Sequence, residues 1–159
     1  MIDGHMHLEN GPLTVEYAMK YVEAGVKAGM DTIQILDHTH RFLEFKPMYD
    51  NLKQASVYQK DWFEKKKLEP LQSYFNLIEE MKKMELPIAV RFGLEVCYAP
   101  QDKAFLRDLL AGYPYDFLIG SIHSIDGLLY DMNGFSREYY GINMIPMPFT
   151  GGIMKLWRI

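Results

Sequence analysis

The sequence predicts an α/β fold in which strands alternate with helices. Three observations carry that expectation: short β-branched apolar runs, intervening segments with apolar residues at helical spacing, and Gly or Pro at the junctions between them. Alternation of this kind makes parallel pairing through right-handed crossovers the expected topology, as in barrels and doubly wound sheets.

The first strand is expected over the opening residues, where His5 and His7 alternate along an extended chain. Successive side chains of a strand point to opposite faces, so the two imidazoles share one face, about 6 to 7 Å apart along it. Gly11-Pro12 marks a turn, and Thr14 is placed to cap a helix whose apolar positions Ala18, Val22 and Val26 run up to Gly29. A second strand covers residues 32 to 36 and ends at Asp37-His38-Thr39-His40. From Arg41 to Ser56 no clear period is visible, and Pro47 interrupts, so this stretch reads as a long functional loop with room for a helical turn.

Residues from about Val57 to Met84 read as helical with a break near Pro70, and Leu71, Tyr74, Phe75, Ile78 and Met81 form an apolar stripe. A third strand spans Ile88 to Val96. A helix follows over roughly Asp102 to Ala111 with Gly112 as its stop, then a fourth strand over Phe117 to Gly120. No internal repeat or low-complexity tract is visible.

A chain of 159 residues with 48% hydrophobic content is the size of one domain with a packed core. Cys97 is the single cysteine, which excludes an internal disulfide and any zinc site built on several cysteines of this chain. The N-terminus shows no basic leader and no long apolar run, so a cytoplasmic protein without membrane association is expected. A net charge of -4 offers no electrostatic footprint for nucleic acid, and Lys65-Lys66-Lys67 and Lys82-Lys83 read as solvated helix faces.

All five histidines follow predicted strands and none falls on a predicted helix. His5 and His7 close the first strand, Asp37 and His38 follow the second, Glu95 lies near the end of the third and His123 just past the fourth. In parallel α/β barrels the carboxyl ends of the strands form one rim, where such groups meet. Imidazole and carboxylate ligands suit zinc, manganese or iron, and the number of candidate ligands points to two or three ions. Clustered metals support hydrolysis of phosphate esters: one ion lowers the pKa of a water, and a second about 3.5 to 4 Å away holds the phosphoryl and leaving oxygens. A serine triad using Ser121 or Ser124 with His123 is the rival, but the chain has no Gly-x-Ser-x-Gly elbow.

Four motifs then carry a resemblance: Asp3-Gly-His5-Met-His7-Leu-Glu9-Asn-Gly-Pro12, Asp37-His38-Thr-His40-Arg41-Phe42, Phe92-Gly-Leu-Glu95-Val-Cys97-Tyr98 and Gly120-Ser-Ile-His123-Ser-Ile-Asp126. In this order and spacing the chain resembles the histidinol-phosphatase members of the PHP (polymerase and histidinol phosphatase) superfamily, from residue 1 to about residue 142. The resemblance implies a distorted (β/α)7 TIM-like barrel, a trinuclear divalent metal centre and hydrolysis of L-histidinol phosphate to L-histidinol in histidine biosynthesis. It further implies that His5 and His7 bind one metal, that Glu95 bridges two, that His123 binds the second, and that His38 binds the third with Glu9. Asp3 and Asp37 are expected to orient imidazoles from behind. His40 and Arg41 stand where they could meet the substrate phosphate, as could Arg91, while Cys97 and Tyr98 are expected to pack.

The resemblance also implies further strands and a late Asp or His pair, neither of which follows here. A barrel of this kind typically takes around 250 residues, so an incomplete barrel is expected, with open sheet edges and reduced activity. Two regions result: 1–142 as the N-terminal part of a metal-dependent phosphatase domain, and 143–159 as an aberrant tail. The tail holds Pro146, Pro148 and Gly151-Gly152 where the resemblance predicts a charged, aromatic helix. Starting from the third base of the Asn143 codon, permissible codon choices read Tyr-Asp-Thr-Tyr-Ala-Val-Tyr-Arg-Arg-Tyr-Tyr-Glu-Ile-Met-Glu-Asp, which looks like that helix, and a frameshifted or truncated product is expected. Three functions fit: histidinol phosphatase; a phosphatase of the same scaffold for another small-molecule phosphate ester, such as phosphotyrosine or a nucleotide; or an inactive metal-binding fragment. A nucleic-acid role has no support from charge, and the sequence is silent on oligomeric state.

Overall fold

The computed structural model describes residues 1–113, 115–125 and 127–129. It is an α/β structure built on a four-stranded parallel sheet in the order β1-β2-β3-β4, formed by β1 (Ile2–His7), β2 (Thr32–His38), β3 (Ala89–Cys97) and β4 (Phe117–Ser121). This is the sheet of a partial barrel of the expected type, with strand order equal to chain order. The chain divides into two compact units, Met1–Ile122 and His123–Ile159. Among the described residues the second unit contains a short antiparallel pair, β5 (Ser124–Ile125) with β6 (Leu128–Leu129), joined through Gly127 at a φ of 79°. The expected boundary at residue 142 and the tail 143–159 lie outside the described residues.

In the first unit, β2 and β3 are the inner strands and carry the core. Ile33, Ile35, Leu36, Phe92 and Leu94 are buried, as expected where strands are covered on both faces. Helix α1 (Val15–Lys27) begins where Thr14 accepts a hydrogen bond from the Tyr17 N–H at 3.3 Å. Its buried face is Ala18, Val22 and Gly25; Val26, the last residue of the expected stripe, is exposed instead. Gly25 is the closer residue: a Cβ there would stand 2.9 Å from both Ile33 and Ile88 side chains.

The stretch from Arg41 to Ser56 is mostly helical, which corrects the expectation of a loop. Two 3-10 segments, Thr39–Arg41 and Leu43–Tyr49, lead into α2 (Asp50–Ala55) and α3 (Val57–Glu64). Phe42, Phe45, Met48, Tyr49 and Leu52 are all buried, and the last four stand at i, i+3, i+4 and i+7, the spacing of a helix face, which runs through Pro47. The next break falls at residues 65–70, and Pro70 precedes α4 (Leu71–Lys82). Pro70 provides no side-chain cap, and Glu44 supplies it from a distance by accepting the Leu71 N–H at 2.8 Å. The α4 stripe of Leu71, Tyr74, Phe75, Ile78 and Met81 is buried as the periodicity predicts. A 3-10 turn, Pro100–Asp102, opens α5 (Lys103–Leu110).

Gly93 marks the tightest place between β3 and β4. A Cβ there would lie 2.6 Å from the Phe117 ring, and the Gly93 carbonyl accepts from the buried Tyr74 hydroxyl at 2.9 Å. Gly93→Ala is expected to cost about 1 to 3 kcal/mol through overpacking, read as a lower urea midpoint without a change in slope.

Candidate metal centre

The carboxyl ends of β1, β2 and β3 lie side by side, because His7 is in register with Leu36 and His38 with Glu95. That register, set by the hydrophobic pattern of the inner strands, brings five separated polar positions to one rim. Glu95 is buried, with its side chain 8% exposed. Its Oε2 lies 2.8 Å from His5 Nε2, 3.1 Å from His7 Nε2 and 3.5 Å from His38 Nε2. The register shift between Asp3 and Met6 does not part the two imidazoles of β1, whose ring centroids are 4.8 Å apart.

A second grouping adjoins the first. His38 Nδ1 lies 3.1 Å from Glu9 Oε2, and His40 Nε2 lies 3.9 Å from the same oxygen. The rings of His7 and His38 stack at 4.1 Å, and those of His38 and His40 at 4.7 Å. Three sets thus present ligand atoms within 4.8 Å of one another in this unit: His5, His7 and Glu95; His7, Asp37 and His38; and Glu9, His38 and His40.

The electrostatics keep His7 neutral beside an ionised Glu9, while His38 is drawn towards its charged form. Burial, with His38 alongside, pushes His7 down to about 4, so it is neutral at ordinary pH. The hydrogen bond from His38 holds Glu9 down at about 2, against its burial. Burial pulls His38 down, but Glu9 and Glu95 outweigh it and raise the imidazole overall.

This donor set fits divalent metal. One carboxylate oxygen has two lone pairs, whereas three ring nitrogens face Glu95 Oε2, and the buried His7 Nδ1 has no hydrogen-bond partner among the described residues. A cation shared by these groups would relieve the crowding of several imidazoles on one oxygen.

His7 also sets an acid limit. Its folded value lies below that of an unfolded histidine, so protons bind the unfolded state first and stability falls as pH drops from 6.5 towards 4. In the metal-free chain, His7→Gln is expected to flatten that part of the pH dependence, measured as urea midpoints across the window.

Arg41 takes a different place from the one expected. Its Nη1 donates to the Leu8 carbonyl at 2.9 Å and to Asp37 Oδ2 at 2.7 Å; Nη2 donates to the Gly11 carbonyl at 2.7 Å and to Glu69 Oε1 at 2.6 Å. Nε donates to the same Glu69 oxygen at 3.1 Å. All five N–H groups of the guanidinium are therefore engaged by protein acceptors, and the residue is 7% exposed. The arginine braces the ends of β1 and β2 instead of facing a phosphate. Glu69, which the sequence reading passed over, is set there by backbone pairing, with its N–H on the Arg41 carbonyl and its carbonyl on the Leu43 N–H, each at 3.0 Å.

Asp37 is fully buried against Arg41 and the His38 N–H, and Asp3 accepts weakly from the His5 N–H at 3.4 Å. Both reach backbone where support of imidazole rings was expected. Burial pushes the Asp37 carboxyl up to about 6 against the pull of Arg41, which leaves it ionised at neutral pH. Arg91 is exposed, and it lies near Asp116, whose carboxylate ties the Phe92 N–H and Lys82. Cys97 is half-buried and its N–H donates to Thr39 Oγ1 at 3.2 Å. His123 begins the second unit, and its role rests on its motif. Among the described residues no helix is long and apolar enough to cross a membrane.

Comparison with known proteins agrees with this geometry. The chain is 27% identical over 143 residues to a probable histidinol-phosphatase of Deinococcus radiodurans, an alignment covering 87% of this chain and 48% of that protein. The chain thus spans about half the length of the curated relative it matches. The model of the PHP domain matches residues 3–147, so the chain belongs to the PHP domain family.

Proposed function

We propose that the protein is a metal-dependent phosphomonoester hydrolase, with L-histidinol phosphate as the substrate and L-histidinol and phosphate as products. The observation that carries this reading is the buried Glu95 carboxylate oxygen with three imidazoles drawn to it, at 2.8, 3.1 and 3.5 Å. Membership of the PHP domain family and the name of the Deinococcus relative support the choice of reaction and substrate.

His5, His7 and Glu95 would hold one ion, and Glu9, His38 and His40 another; His123 is assigned to the centre from its motif. Bound divalent metal supplies Lewis-acid activation of water and neutralises charge on phosphoryl oxygens. The chain's own residues do the rest. Glu95, shielded from water, presents Oε2 to the imidazoles. His7 stays neutral and so offers a lone pair. Arg41 holds the loop after β1 against β2, which keeps Glu9 close to His38. Water cleaves the ester, the alcohol departs with a proton, and inorganic phosphate is left.

The test is metal content and phosphate release on the purified chain. Stoichiometric divalent metal and chelator-sensitive hydrolysis of histidinol phosphate, faster than that of phosphotyrosine or nucleoside monophosphates, are expected. Faster turnover of another ester would move the substrate assignment and keep the reaction; bound metal with no turnover of any ester would favour a metal-binding role.

A further inference from the structure

The run Lys65-Lys66-Lys67 follows α3, and its middle member departs from the solvated face expected of all three. The backbone is still turning there: the Lys65 N–H bonds to the Asp61 carbonyl and the Lys66 N–H to the Phe63 carbonyl at 3.1 Å. Lys66 therefore lies one turn beyond Trp62, and its ammonium sits 4.3 Å from the centroid of the indole. Trp62 also meets His40 edge-on, with ring centroids 5.2 Å apart at 73°. The indole is thus in contact with both a lysine and a member of the donor cluster.

Lys66 and Lys67 share with Glu9, His40, Arg41 and Glu69 the wall of a cleft of about 540 Å³. The charges along that wall are unequally committed. Arg41 spends every donor on protein and is neutralised by Asp37 and Glu69, while Glu9 is paired with His38. Lys67 is exposed. Lys66 is half-buried and makes no ion pair among the described residues, though Glu9 and Asp37 are near enough to bear on its charge. Burial lowers its basicity, as it does for an ammonium that gives up water without gaining a contact ion pair. For surface lysines, stacking on an aromatic ring is a modest attraction, about 0.5 to 1 kcal/mol. Here it also aims a compact, three-donor cation into a cleft that the donor cluster lines.

We propose that Lys66 is the anion-docking residue of this cleft: its ammonium, steered by Trp62, takes the phosphoryl oxygens of a phosphate monoester at the end where Glu9 and His40 lie. This deepens the proposed phosphatase reading and rests on it for the identity of the ligand. The lysine replaces Arg41 as the protein cation that meets phosphate, since it has donors to give.

Trp62 is its own reporter. The chain has two tryptophans, so in a Trp157→Phe background emission comes from Trp62 alone. Inorganic phosphate, titrated into the metal-free chain at constant ionic strength, is expected to change that emission saturably. Lys66→Met should weaken the apparent affinity about tenfold or more, whereas Lys66→Arg keeps most of it, and unchanged urea midpoints show that both variants fold. A parent without a saturable response, or a Lys66→Met variant within about twofold of the parent, overturns the proposal. Metal content and ester hydrolysis are read separately. A Lys66-dependent phosphate response with no hydrolysis removes the phosphatase reading and keeps the docking site; hydrolysis with a Lys66-independent response does the reverse.

Discussion

Glu95→Gln is expected to remove metal from the site and lower phosphate-ester hydrolysis by about 100-fold or more. Replacement of groups that merely support a metal ligand typically costs about 10- to 100-fold in affinity or activity, and Glu95 is proposed as a ligand itself. Glutamine has nearly the same shape, so Leu94 and Val96 can stay packed as they are, both buried beside it. What changes is charge and the sense of the hydrogen bonds. The carboxylate presents only lone pairs to the ring nitrogens of His5, His7 and His38, while an amide also turns two N–H donors towards them. The check is metal content after dialysis at fixed free metal, alongside the rate of phosphate release. Full occupancy in the variant would remove Glu95 from the ligand set and leave it a hydrogen-bond partner for the histidines.

The second large effect concerns stability. Arg41→Met is expected to cost about 3 to 5 kcal/mol, the usual consequence of stranding one member of a buried ion pair. The stranded group is Asp37, which is fully buried and already raised to about 6 with the guanidinium in place. A carboxyl whose folded value lies above its unfolded one weakens the fold as pH rises between the two. The deficit of Arg41→Met should therefore shrink towards acid pH, and urea unfolding at mildly acid and neutral pH reads both the size and the slope. Arg41→Lys is expected to recover little, because three donors on one nitrogen cannot serve Leu8, Gly11, Asp37 and Glu69 together. Asp37→Asn combined with Arg41→Met should be milder than the single substitution, since the uncompensated charge has gone. Equal losses at both pH values would place the effect in packing and not in the ion pair.

These two residues also mark what kinds of information a sequence holds. Glu95 stands out in one dimension because a carboxylate in a buried apolar strand is costly without a purpose, and because every histidine of the chain follows a strand. Arg41 does not. In the sequence it is the cation that directly follows His40, and there it reads as a phosphate ligand and not as a brace. Its four acceptor atoms come from residues 8, 11, 37 and 69, and two of them are backbone carbonyls that carry no residue-type signal. Glu69 was passed over for the same reason: only its pairing with Arg41 and Leu43 places it.

Lys66 shows the limit from the other side. Trp62 and Lys66 stand at i, i+4 spacing, a relation visible in the sequence, yet a run of three lysines reads as solvated because nothing local tells its members apart. The helical content of residues 43–55 is masked by Pro47 and by the mixed polar and aromatic residues, although Phe45, Met48, Tyr49 and Leu52 hold the i, i+3, i+4, i+7 pattern of a helix face.

The sequence by itself determined the parallel α/β architecture and the gathering of His5, His7, His38 and Glu95 at strand ends, because alternation of strand and helix leaves few topologies and a rim is where strands end together. The tertiary structure alone decided which cation braces and which faces the cleft. Burial and pairing are set by atoms brought in from distant positions: Leu8, Gly11, Asp37 and Glu69 exhaust the donors of Arg41, while Trp62 holds Lys66 beside His40 with its charge uncommitted.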